Sequence, residues 1–399
     1  MDSQRVKRRQ LDSLTGVRFP ALFLVFANHI AMGFPLASMV AYENYQTYAG
    51  WIGKAGLTMF FMLSGFILAW IARDGDSVPL FYRRRFVRVV PLHWLTFGLS
   101  MLIFAYPAVS AEAAILNFFM LASWSSDPDI FSSMNAPSWS LTCIALFYLA
   151  FPLLHRIAKT IPRKFLWWVV GALMAVIISI TAVVRAVVPA DPMMHPLSPA
   201  SSMDAFYYIQ TFPLSRVPEF FLGILLARIV LTGMWPRPVR PLFLYGVLVA
   251  GFLVANELPR EYRLVAAMTL PIFLFLGGLA AWDMADHKSA IAARPMQWLG
   301  NISFAFFLIH WPVIMFFFKL IGEKHLYSVW EFVGMSAVSM AVSIVLAWLL
   351  TIWVERPLIR LLAKPRASRG QAEEVPSGTP AEASAEAGPR VEPALKTSR

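Results

Sequence analysis

Long apolar runs alternate with short polar connections along most of this chain. About twenty apolar residues in a helix cross a bilayer core of about 30 Å. Runs of that kind predict membrane spans over 17–36, 52–72, 89–108, 138–155, 165–188, 211–232, 240–256, 264–283, 297–320 and 329–353. A shorter stretch, 113–124, predicts a re-entrant or interfacial segment. The pattern therefore predicts an all-α integral membrane protein, a bundle of about ten transmembrane helices. No internal repeat accompanies it.

The basic residues assign the sides, because Lys and Arg collect in cytoplasmic connections. Arg5, Lys7, Arg8 and Arg9 precede the first span, and Arg73, Arg83, Arg84 and Arg85 lie between the second and third. Arg156, Lys159, Arg163 and Lys164, then Arg237 and Arg240, then Lys288 and Arg294 mark alternate later connections, and Arg356, Arg360, Lys364 and Arg366 follow the last span. The intervening connections, such as SSDPDIFSSMNAPS and PADPMMHPLSPASS, are poor in Lys and Arg. Both termini are thus expected in the cytoplasm. The division that results is a basic cytoplasmic N-terminus (1–16), a membrane domain (17–362) and a small-residue, Pro-rich tail (363–399) expected to be disordered. The first apolar segment is longer than a signal peptide's and carries Asn28 and His29, against cleavage.

Composition agrees: 58% of the 399 residues are hydrophobic and 14% charged, where soluble domains carry about 25% charge. The net charge of +11 is accounted for by topology and anionic headgroups, and no nucleic-acid partner is expected. A single cysteine, Cys143, excludes an internal disulfide and a cysteine-based zinc site, and no metal is expected.

Ionisable and polar groups inside spans are expensive and mark interior sites. His29 falls near mid-bilayer, where a neutral imidazole with a free nitrogen suits a general base; a buried His bonded to a neighbouring helix is the equal alternative. Arg85 and Arg88, an i, i+3 pair, present two guanidinium forks in one direction, suited to a phosphorylated ligand or to lipid headgroups. Asn135, Trp139 and Ser140 stand where NAPSWSL enters a span, with Trp139 also fit for an interfacial anchor. Arg216 and Glu219 form either an intrahelical ion pair or part of an acceptor site. His310, just ahead of Pro312, is a second mid-span histidine. Glu355 is expected to cap or to pair with Arg356.

Four stretches in this order resemble one family: His29 after LDSLTGVRF; RRRFVRVVPLHW; NAPSWSL followed by FYLAFPLL; and LGNISFAFFLIHWP with a closing VERPL. They identify the chain as similar to the acyltransferase 3 superfamily of bacterial membrane O-acyltransferases, over about residues 10–362. The resemblance implies that His29 is the essential first-span histidine and that Arg85 and Arg88 handle a cytoplasmic acyl-coenzyme A, commonly acetyl-coenzyme A. It implies acyl transfer to a hydroxyl of a saccharide, such as exopolysaccharide or O-antigen, in a multi-pass protein of the bacterial cytoplasmic (inner) membrane, alongside polysaccharide biosynthesis proteins. One departure stands out: many relatives carry a Glu shortly after Trp-Ser-Leu, where this chain reads Thr142, Cys143, Ile144, Ala145. Glu219 is a candidate substitute. The competing reading is a transporter or flippase for a lipid-linked sugar or acidic solute.

Overall fold

The computed structural model describes residues 10–73, 75–105, 108–190, 200–236, 240–322 and 324–362. Most of the N-terminal segment, with Arg5, Lys7, Arg8 and Arg9, lies outside the described residues. So do Arg237, the centre of PADPMMHPLSPASS and the tail 363–399.

Among the described residues every element is helical, and the one β-type pairing is an isolated bridge between Leu36 and Tyr327. Eight helices are long and apolar enough to cross a membrane: Asp12–Gly33, Met39–Ile71, Val78–Phe104, Ala136–Thr160, Arg163–Val187, Arg260–Met284, Arg294–Ile321 and Val329–Leu362. Each coincides with one of the expected spans. The other two are shorter. Pro241–Glu257 is an apolar helix of 17 residues. The expected span 211–232 divides into a π turn (Tyr207–Thr211), a 3-10 turn (Pro213–Arg216) and the helix Val217–Leu231. Prolines explain the division: Pro213 and Pro218 each lack a backbone N–H, so each starts an element rather than continuing one. The stretch 113–124 forms a short helix, Ala111–Phe118, and a 3-10 turn, Ala122–Trp124.

One boundary matters for function. The third expected span begins at Val78, not 89, because Ser77 caps the helix and Pro79 suits its first turn. Arg85 and Arg88 therefore stand within the helix body, one turn apart.

The centre is built on close crossings. A Cβ on Gly65 would strike the Phe220 carbonyl, and one on Gly223 the Met62 carbonyl, so Ile52–Ile71 and Val217–Leu231 meet backbone to backbone. The same helix Ile52–Ile71 crosses the first long helix at Gly53, where a Cβ would meet Asn28 and the Leu24 carbonyl. This contact sets the residue after it, Lys54, beside His29. At the other end, Ser13 donates from N (2.9 Å) and Oγ (2.7 Å) to the Asp283 carboxylate, tying the start of the chain to Ala266–Met284. Arg163–Val187 and Val329–Leu362 bury little of their surface and form the apolar exterior.

Candidate active site

His29 and His310 meet in the interior. His29 Nδ1 lies 3.2 Å from His310 Nε2, and His310 Nδ1 lies 3.2 Å from the Phe306 carbonyl one turn back. A carbonyl only accepts, so His310 Nδ1 carries the proton and Nε2 is the acceptor. His29 Nδ1 must then donate, which leaves His29 Nε2 with its lone pair free. His310 is fully buried, stacked on Phe306 with centroids 5.7 Å apart, while His29 is half-buried with its ring edge-on to Trp311.

His29 lines a narrow cleft with Asn28, Lys54, Leu57, Pro137, Trp139, Ser140, Gln210 and Phe307. The segment 111–138 delivers Trp139 and Ser140 there. Its hub is the buried Asn117, whose Nδ2 donates to the carbonyls of Ala113 and Ile130 and whose Oδ1 accepts from Ser138. His93 Nε2 donates to the Asn117 carbonyl at 2.8 Å, fastening the segment to the arginine-bearing helix. Asn135 is buried and donates to the Leu308 carbonyl at 2.8 Å, a link to the helix that bears His310.

A second cavity, of about 110 Å³, shares Leu57, Ser140 and Phe307 with the first and is lined by Arg18, Arg85 and Arg88. Arg88 Nε lies 3.5 Å from Glu355 Oε1, so Glu355, expected to pair with Arg356, pairs across the bundle. Arg85 lies over the rings of Phe81 and Tyr148, and its buried Nε has no hydrogen-bond partner among the described residues. A third cavity, of about 290 Å³, meets the second at Leu68 and Arg85; Arg73, Arg84, Arg156 and Lys159 line it, with one carboxylate, Asp76. Shared walls join the three in series from His29, and Arg and Lys outnumber carboxylates in the second and third.

Arg216 and Glu219 lie behind the histidine cleft. Both are fully buried, joined by Nε to Oε2 at 2.8 Å and Nη2 to Oε1 at 3.1 Å. Both carboxylate oxygens thus face one guanidinium, so Glu219 offers no free carboxylate in place of the one missing near Ile144. Arg216 also donates to Thr58 Oγ1 and Gln210 Oε1, each at 3.3 Å. Cys143, also buried, packs against the Thr211 carbonyl at 3.8 Å.

Sequence reasoning missed three residues of these walls. Lys54, inside the expected second span, and Arg18, at the start of the first, were both findable as charges in apolar runs. Gln210 is neutral and carries no such signal.

The model of the acyltransferase domain family matches residues 11–348. The chain is 34% identical over 373 residues to acyltransferase MdmB of Streptomyces mycarofaciens, covering 90% of this chain and 94% of that protein. It is 24% identical over 267 residues to the exopolysaccharide production protein ExoZ of Rhizobium meliloti (strain 1021), covering 65% and 76%. It is also 24% identical over 326 residues to the candidate peptidoglycan O-acetyltransferase YrhL of Bacillus subtilis (strain 168), covering 71% and 47%. No solved structure matches the chain. A family match over most of its length, and a relative aligned nearly end to end, establish that the chain belongs to the acyltransferase 3 family and is an acyltransferase.

Proposed function

We propose that this acyltransferase moves an acyl group, acetyl by preference, from cytoplasmic acyl-coenzyme A to a hydroxyl of a saccharide destined for the cell surface. The observation that carries this reading is the His29–His310 pair, which leaves His29 Nε2 free at a cleft adjoining the arginine-lined cavity. His29 takes the acceptor hydroxyl's proton, the task of a general base. Arg85 and Arg88, with Arg18 beside them, hold the donor's phosphates by charge-assisted hydrogen bonds. The basic third cavity takes the nucleotide end of the donor. Trp139 and Ser140 line the path of the acyl arm, and Asn135 and the Arg216–Glu219 pair support the walls.

Saccharide is favoured as acceptor by the relatives named for exopolysaccharide production and for peptidoglycan O-acetylation. In this reading the chain crosses the inner membrane of a bacterium ten times with both termini in the cytoplasm. Residues 17–362 form the membrane domain between a basic N-terminus (1–16) and a tail (363–399), and polysaccharide biosynthesis proteins supply or receive the acceptor. The alternation of basic connections supports that topology.

The test is transfer of label from acetyl-coenzyme A in inverted membrane vesicles carrying the wild type or H29A. Label is expected in a saccharide fraction for the wild type, with a loss of roughly 10²- to 10⁴-fold in H29A. Full transfer by a folded H29A protein would end this reading.

A further inference from the structure

We infer that Lys54 and Gln210 form an anion-stabilising wall of the His29 cleft that receives the negative charge developing on the acyl carbonyl oxygen; this rests on His29 being the base.

Lys54 is a half-buried cation in the membrane-spanning helix Ile52–Ile71. Its Nζ donates to Asn28 Oδ1 at 3.1 Å and lies 5.2 Å from the centre of the Phe206 ring. No carboxylate comes within ion-pair distance of it among the described residues. A charge withdrawn from water without a counter-charge is costly, and within membrane spans such groups mark functional sites. The buried carboxylate of Glu219 offers no relief, since Arg216 occupies both of its oxygens. Lys54 therefore lacks a resident anion, and an ammonium with three donors has capacity beyond Asn28.

Gln210 supplies the second donor. It is fully buried and lines the same cleft. Arg216 Nη1 donates to its Oε1, and a guanidinium cannot accept, so the amide orientation is fixed by chemistry. Nε2 is left with no partner among the described residues. A buried amide with two unused N–H groups costs stability unless something arrives to accept from them.

Acyl transfer brings such an acceptor. As the acceptor hydroxyl oxygen bonds to the thioester carbon, its proton passes to His29 Nε2 and the carbonyl π pair moves onto the oxygen. That oxyanion accepts from Lys54 Nζ and Gln210 Nε2. On collapse the carbonyl re-forms, the C–S bond breaks, and the thiolate sulfur takes the proton back from His29. Donors fixed in advance where charge develops stabilise the transition state more than the ground state.

The test uses the full chain in membrane vesicles as wild type, K54M, K54R and Q210L. Initial transfer of label to the vesicles' own glycans is followed across acetyl-coenzyme A concentrations, beside acetyl-coenzyme A binding by the solubilised protein. K54M and Q210L are each expected to lower the maximal rate by roughly 100-fold, with half-saturation and donor binding unchanged and K54R recovering part of the rate. Maximal rates within about threefold of wild type in folded K54M and Q210L, or a loss confined to donor binding, overturn the inference. If K54M does not fold, Q210L decides alone, because it removes no charge. Wild-type protein without transfer, or H29A at full rate, overturns the underlying reading and this inference with it. Loss in H29A beside intact Lys54 and Gln210 variants overturns the inference alone.

Discussion

His29 owes its free nitrogen to a backbone carbonyl it does not touch. The Phe306 carbonyl sets the tautomer of His310, and His310 sets that of His29. If His29 is the base as proposed, His310 is a positioning residue, and its loss should leave the imidazole of His29 in place but free to turn and to change tautomer. His310→Leu is expected to lower the maximal transfer rate by about 10- to 100-fold, while half-saturation by acetyl-coenzyme A stays put. His310→Gln, whose side-chain oxygen can still accept from His29, should keep more of the rate. Equal losses in the two variants, or a loss seen in donor half-saturation, would count against the positioning role. How much was legible at this scale follows from charge. His29, His310, Arg85 and Arg88 stand out because ionisable groups in apolar runs are costly. Lys54 carried the same signal from inside the expected second span, at the end that the basic-residue pattern places outside the cytoplasm, where a cation is not an ordinary topology mark. Gln210 was illegible, since its importance arises from Arg216, which reaches it only across the turn Pro213–Arg216.

Helices were legible where the apolar run and the element coincide, as in Arg294–Ile321, and less so where a polar sequence continues a helix. FYRRRFVRV stands at the cytoplasmic entrance of the third expected span, yet Ser77 and Pro79 start the helix ahead of it. The arginines thereby gain a fixed helical face, which a loop would not give them. The segment 211–232 reads as a single span, but its prolines reset the backbone twice and place Arg216 where it reaches both Gln210 and Glu219. That buried pair permits a prediction about stability. Removing one member strands a charge, so Arg216→Met or Glu219→Met should each cost about 3–5 kcal/mol, and the double replacement clearly less than their sum. Thermal unfolding of the four proteins in one detergent would measure this, and strict additivity would show that the pair is not coupled. A second test addresses the crossing of Ile52–Ile71 with Val217–Leu231. Gly223→Leu puts a side chain onto the Met62 carbonyl. Overpacking costs typically about 1–3 kcal/mol, and a backbone obstacle leaves little room to relax. A clear fall in melting temperature is expected, and an unchanged one would show that the crossing has slack.

A catalytic centre buried in a membrane domain is useful when donor and acceptor arrive from different sides, so the whole molecule is judged by which helices cross. The apolar pattern alone gave the helical class and the location of every long helix, because lipid demands length and hydrophobicity together. It could not decide the shorter pair, since burial against neighbours also makes a helix apolar. Pro241–Glu257 is the critical case. Its 17 residues reach about 26 Å at 1.5 Å per residue, slightly less than a core of about 30 Å. A bilayer accommodates that shortfall by local thinning at modest cost. The ten-crossing topology requires Arg240 in the cytoplasm and Glu257 outside, both of them exposed. The native thiol, Cys143, is buried, so a C143A background leaves single introduced cysteines to report alone. In that background an impermeant maleimide should label E257C in intact cells and R240C only in inverted vesicles. Ser126→Cys and Thr160→Cys, exposed at either end of the segment that carries Trp139 and Ser140, should divide in the same way, with S126C outside. If R240C and E257C label from one side while S126C and T160C divide, Pro241–Glu257 does not cross. The bundle would then need an even number of other crossings to keep both termini in the cytoplasm, and the helix Val217–Leu231 would have to be re-entrant with it. That outcome would bring Arg216 and Gln210 in from one face of the membrane and leave the proposed donor path through Arg85 and Arg88 unchanged.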